Sequence, residues 1–188
     1  IRYYGEILKE AQKELNSGYN IKFRLDISGY NYMYDFLDGI VDLPCINARA
    51  FSLQEEKARR RSRIFGEINW MYTSLNDISS SNTDMALLVV DTWLKGASGM
   101  LPWYNFGRDE NFETPANTSG FYPGNRFGLN GPVVSLRIKS ARKGMELIRY
   151  LNTFRKAFGY GNIQMKAYVA HFLKLRGQAL MRYFEDAG

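Results

Sequence analysis

The apolar residues of this chain change period again and again, and that alternation most restricts the fold. Ile7, Leu8, Ala11 and Leu15 recur at helical spacing between Tyr3 and Leu15, and Asn16-Ser17-Gly18 stops the run. Ile21 to Ile27 then alternates apolar and polar residues with period two, which predicts a strand. Asn31 to Leu37 is expected to be a short helix. Val41 to Ile46 is a weaker strand candidate, because Pro44 has no N–H to give a ladder. Ser52-Leu-Gln-Glu55 matches a capping box opening a charged helix to about Phe65, with Gly66 at its end. Glu67 to Thr73 reads as a strand, Leu75 to Ser81 as a polar loop, Asp84 to Lys95 as a helix and Met100 to Phe106 as a strand. After a loop over 107–132, Ile138, Ala141, Met145, Ile148, Leu151, Phe154 and Phe158 step by three or four to Gly159. A last helix is expected from about Gln164 to Phe184, within residues 163–188.

Strand and helix thus alternate four times, which predicts parallel strands joined by crossover helices. With no internal boundary, residues 1–188 read as a single partial domain, either a small open sheet or the second half of an eight-stranded α/β barrel. The strand ends favour the barrel. Ligands of such folds bind at the carboxyl ends of the strands. Here those ends read Asp26-Ile-Ser28, Asn47, Trp70-Met-Tyr72 and Trp103-Tyr-Asn105.

Single residues exclude several chemistries. Cys45 is the only cysteine, so neither an intrachain disulfide nor a metal site of paired cysteines can form. His171 is the only histidine and lies in an amphipathic stretch far from partners for a triad or a zinc site. No metal and no cofactor are expected. No apolar run approaches the ~20 residues that span a bilayer, and no signal peptide is visible. The chain opens at Ile1 in mid-pattern, which suggests a fragment or a processed product. The net charge is +6, and Lys57-Ala-Arg-Arg-Arg-Ser-Arg63 holds five of the 25 basic residues. Such a run is either a phosphate-binding patch or the solvated face of a helix, with Glu55 and Glu56 offsetting part of it.

The loop 120–132 contains Phe121, Tyr122 and Phe127, more aromatic surface than a linker needs. Together with its neighbours it carries a resemblance. "INWMYT" at 68–73, "GASGMLPWYNF" at 96–106, and "YPG" followed by "GPVVSLRIKSARKGMELIRYL" at 131–151 resemble the C-terminal half of the glycoside hydrolase family 123 catalytic domain. The related domain-of-unknown-function family 4091 has the same order of motifs. The similarity covers roughly residues 60–155. It implies the C-terminal half of a (β/α)8 barrel, a glycan containing N-acetylhexosamine as substrate, and a periplasmic or extracellular location. Two departures stand out. Leu147 occupies a position where family members carry Asp, and the family's adjacent Asp-Glu pair has no counterpart. Asp109-Glu110 and Glu185-Asp186 are misplaced for it. The resemblance therefore implies no catalytic residue in this chain, which alone would be inactive. The missing N-terminal half, on the same precursor or on a companion chain, would supply the acid.

The substrate-binding residues expected here are Asp26, Trp70, Tyr72, Trp103, Asn105 and Tyr122. Trp70 and Trp103 would stack on a pyranose, and Tyr72, Asn105 and Asp26 would read its hydroxyls. Tyr122 would reach the sugar from the Tyr-Pro-Gly loop. For each, the structural alternative is a core tryptophan, a turn-capping aspartate, or a packed plug in place of a lid. Trp93 reads as core. Ser135 reads as the cap of the closing helix, and Arg137 in its first turn calls for an acidic partner. Three functions remain open: half of a glycosidase-like barrel, a non-catalytic carbohydrate-binding or scaffold protein of the same fold, and a basic module binding nucleic acid through residues 57–63.

Overall fold

The computed structural model describes residues 1–15, 18, 20–28, 35–74, 80–114 and 119–176. It is an α/β structure in which α1 (Arg2–Leu15) precedes a sheet of four strands. These are β1 (Arg24–Ile27), β2 (Leu43–Asn47), β3 (Trp70–Thr73) and β4 (Gly99–Pro102). They run parallel in the order β1-β2-β3-β4, as the four alternations required. Sequential order is what right-handed crossovers that each advance by one strand produce. The connections hold α2 (Ala48–Leu53), α3 (Glu55–Phe65) and α4 (Asn82–Leu94). Beyond β4 come the hairpin β5 (Phe121–Tyr122) and β6 (Val133–Val134), then α5 (Leu136–Ala157) and α6 (Asn162–Arg176).

The residues group into two compact units. One comprises residues 1–72 and 96–99, the other 73–95 and 100–188. In the first, Ile46, Ala50, Phe51, Ala58, Met71 and Ala97 form a buried cluster against which Ile27 and Ala48 pack. Ile27, Ile46 and Met71 are paired across β1, β2 and β3, so one face of the sheet supplies this core. Asp42 ties the edge together: its carboxylate accepts from the Phe23 amide at 2.9 Å and from Lys9 at 3.3 Å. In the second unit α4 packs along α5 around Met85, Val89, Ile138, Ala141 and Ile148. A second cluster joins Val90, Leu94 and Met165, with Trp93 packed against it as its spacing predicted. Gly144 permits the close approach of the two helices, since a Cβ there would lie 2.5 Å from the Ala86 carbonyl oxygen.

Several boundaries differ from the expectation. All four strands are shorter than their apolar patterns: β1 starts at Arg24, β3 at Trp70, and β4 stops at Pro102. Pro44 sits inside β2, a central strand, because burial of its neighbours Cys45 and Ile46 outweighs one missing ladder bond. The capping box at Ser52 is a correction. Asn47 caps α2, accepting from the Arg49 amide at 3.0 Å, and Ser52 lies within α2 with its hydroxyl donating to the Ala48 carbonyl at 2.9 Å. The chain breaks at Gln54 before α3. Of the expected helix 31–37 only the turn Asp35–Leu37 is described, and residues 29–34, 75–79 and 177–188 lie outside the described residues. No helix among the described residues is long and apolar enough to cross a membrane.

Candidate functional site

The register of the first three strands sorts their side chains into two sets. Asp26, Cys45 and Trp70 are paired across β1, β2 and β3, and Asn47 is paired with Tyr72 one step further on. Alternate residues share a face, so these lie opposite the core residues Ile27, Ile46 and Met71. Three of the expected residues, Asp26, Trp70 and Tyr72, therefore share one face at the carboxyl end of the sheet. Arg24, two residues before Asp26, holds its carboxylate with two bonds of 2.7 and 2.9 Å. The same guanidinium lies 5.9 Å from the Trp70 ring centroid. Gly99 lies close against the indole, since a Cβ there would come within 2.8 Å of the ring.

Cys45 is fully buried beneath this layer. Loss of hydration, with the Asp26 charge beside it, pushes its thiol up to about 11. The thiol is therefore no nucleophile. Tyr72 is half-buried and hydrogen-bonded to Ser28 and Asn47, and its phenol is raised because desolvation outweighs the pull of those bonds. The result is a hydroxyl, an amide, a phenol, a carboxylate and an indole along one strand-end face. Ser28, Asn47 and Arg24 were not among the expected site residues. The alternation that singled out Asp26 places Arg24 and Ser28 on its face, so those two were within reach of the sequence.

The second unit holds Trp103, Asn105 and Tyr122. Trp103 is 49% exposed, which settles against a core role, and Tyr104 stands edge-on to it at 5.3 Å between centroids. Tyr104 has a φ of 49°, a left-handed conformation that bulky side chains seldom adopt and that nothing in the sequence announced. Asn105 receives the Gly120 and Phe121 amides on its carbonyl at 3.0 and 2.8 Å. Among the described residues its side-chain Oδ1 is buried without a partner, in the space that a side chain at position 120 would take, and the same holds for the buried Ser119 hydroxyl.

Tyr122 packs on Phe112 at 5.1 Å, and Phe112 in turn meets Phe127 at 5.7 Å and the Arg126 guanidinium at 4.9 Å. Arg126 pairs with Asp109 and Glu113. The aromatics of the loop thus pack chiefly on one another. Arg137, buried at the start of α5, donates to the Tyr122 hydroxyl at 3.1 Å, while Ser135 caps the helix as expected. Asp109 and Glu110 sit in an exposed turn.

The basic run is largely neutralised. Arg61 is buried between Glu67, at 2.5 Å, and Asp38, while Arg59 pairs with Glu55, Lys57 with Asp35 and Arg63 with Glu56. Among the described residues no cluster of His, Cys, Asp and Glu could hold a metal ion, and His171 is exposed. No protein-family model matches the chain, and no curated protein matches it.

Proposed function

We propose that this chain is the C-terminal half of a glycoside hydrolase-like (β/α)8 barrel that binds N-acetylhexosamine-containing glycans. The supporting observation is the strand-end face on which Asp26, Trp70 and Tyr72 gather with Ser28 and Asn47. An indole offers a flat apolar surface to a pyranose ring, and the surrounding carboxylate, phenol, hydroxyl and amide match the alternating donors and acceptors of sugar hydroxyls. In a closed barrel this face would turn inward, opposite the helix-covered one. Among the described residues it carries a single carboxylate, Asp26, whereas glycoside hydrolysis needs a positioned acid with a second carboxylate or the substrate's own acetamido group. The Asp-Glu pair would come from the complementary half, on the same precursor or on a companion chain. Trp103, Asn105 and Tyr122 of the second unit would be sugar-binding residues in their own right, and the location would be periplasmic or extracellular, as in the family it resembles.

A non-catalytic carbohydrate-binding protein of the same fold is the second reading, favoured by the single carboxylate among the described residues of the face. Titration with N-acetylgalactosamine followed by tryptophan fluorescence tests sugar binding, and release of nitrophenol from an aryl N-acetylhexosaminide tests catalysis. Saturable quenching without turnover is expected. Asp26→Asn and Tyr72→Phe should each weaken binding about tenfold, the worth of one hydrogen bond to a charged or buried group. Absence of quenching would refute the sugar site. Turnover abolished by changing Asp109 or Glu110 would refute the missing-acid assignment.

A further inference from the structure

We propose that the outer face of α5 docks on an anionic lipid surface. The observation is where the charge of the chain resides. Helix α5 holds seven Lys and Arg against one acid, Glu146, while the rest of the sequence holds eighteen against eighteen. The whole excess of +6 is therefore the charge of one helix. Arg137 is buried and Arg155 bonds to Asn162, but Lys139, Arg142, Lys143, Arg149 and Lys156 are all exposed. Among the described residues Arg142 and Lys143 pair with Glu146, and no ion pair is seen for Lys139, Arg149 or Lys156.

The apolar residues beside these cations point to lipid. Leu136, Leu147 and Phe158 are 63%, 40% and 61% exposed, and they succeed one another at intervals of eleven residues. Eleven residues make almost a whole number of helical turns, so Leu136 and Leu147 form a row along α5 that Phe158, at its C-cap, continues to a length of about 33 Å. Lys139, Lys143 and Tyr150, which is 73% exposed, lie along one side of that row, the side away from the packed face of α5. A row of apolar side chains bordered by lysines, whose stems reach past the apolar layer to the headgroups, matches an interfacial helix. Tyrosine belongs at that depth. A nucleic acid fits less well. A single strand needs a groove with stacking platforms, whereas α5 presents the convex side of a helix. A duplex would leave Leu136 and Leu147 against phosphates.

Flotation of the full chain with vesicles of mixed phosphatidylcholine and phosphatidylglycerol tests the proposal. Pure phosphatidylcholine vesicles and a DNA duplex serve as the other arms. Binding to the anionic vesicles is expected, with much weaker binding to phosphatidylcholine and a loss on raising salt. The pair Lys139→Glu with Lys143→Glu should cut it by roughly tenfold or more, since each cation near such a surface contributes substantially. Leu136→Ser with Leu147→Ser should cut it several-fold at unchanged charge. All four positions are exposed, and circular dichroism and thermal unfolding verify that each variant folds. Failure of the wild-type chain to bind anionic vesicles would overturn the proposal, as would a leucine pair that binds like wild type. Binding to DNA but not to vesicles would assign the face to nucleic acid instead.

Discussion

Cys45 carries a consequence of the strand-end face that can be measured without any ligand. Its thiol is raised from an ordinary 9.0 to about 11 in the folded chain. Between those values the unfolded chain loses the thiol proton and the folded chain keeps it, so the unfolded state binds fewer protons. Stability contributed by this group is complete below about pH 9 and falls as the pH rises toward 11, by roughly 1.4 kcal/mol per pH unit. Urea unfolding of wild type and Cys45→Ala over that range should show a steeper decline for wild type; parallel declines would mean that the thiol is not shielded. Gly99 allows a second check. Gly99→Ala forces the Trp70 ring aside and should cost about 1–3 kcal/mol with a shifted tryptophan emission. An unchanged spectrum would place the indole elsewhere. Asp26 was legible in the sequence because strand alternation sets it opposite Leu25 and Ile27. Trp103 was not, because an indole at a strand end reads equally as core or as surface until its neighbours are placed.

At the scale of elements, α3 and α5 show what a charged helix hides. The basic run of α3 looks uniform in sequence, yet Arg61 is buried against Glu67 while Arg60 is exposed. Arg61→Ala strands a buried Glu67 and should cost about 3–5 kcal/mol in denaturant unfolding. Arg60→Ala should stay within about 0.5 kcal/mol. Equal effects would contradict the ion-pair arrangement. Partners such as Asp38 lie far enough along the chain that no local pattern reveals them. In α5, Gly144→Ala places a methyl against the Ala86 carbonyl and should destabilise by about 1–3 kcal/mol, where an ordinary helix glycine would gain from alanine. A gain would mean that α4 and α5 are not in contact there. Helix periods were readable because one apolar face suffices to define them; α4 and α5 fall within two residues of expectation. Strand limits were not, because alternating patterns such as Ile21 to Phe23 extend beyond the residues that join the ladder. Ser52 misled for a related reason, since a hydroxyl that caps one helix can equally bond back into the preceding turn.

For the whole molecule, four alternations of period were enough to give parallel strands, because crossover connections join them, whereas their sequential order came only with the structure. The segment between β4 and α5 was not legible. Two short turns and β5 lie within 107–132, β5 pairs with β6 just beyond it, and Phe112 meets Tyr122 and Phe127, contacts between residues separated by ten positions or more. Recognition of a sugar by the polar strand-end face is what we propose for the molecule as a whole. Amide and indole chemical shifts of the labelled chain, recorded while N-acetylgalactosamine is added, test it most directly. The expected result is saturable shifts centred on Asp26, Ser28, Asn47, Tyr72 and the Trp70 indole, with no hydrolysis of an aryl hexosaminide in the same sample. Shifts absent from those residues at saturating sugar, or confined to positions away from the strand ends, would contradict it.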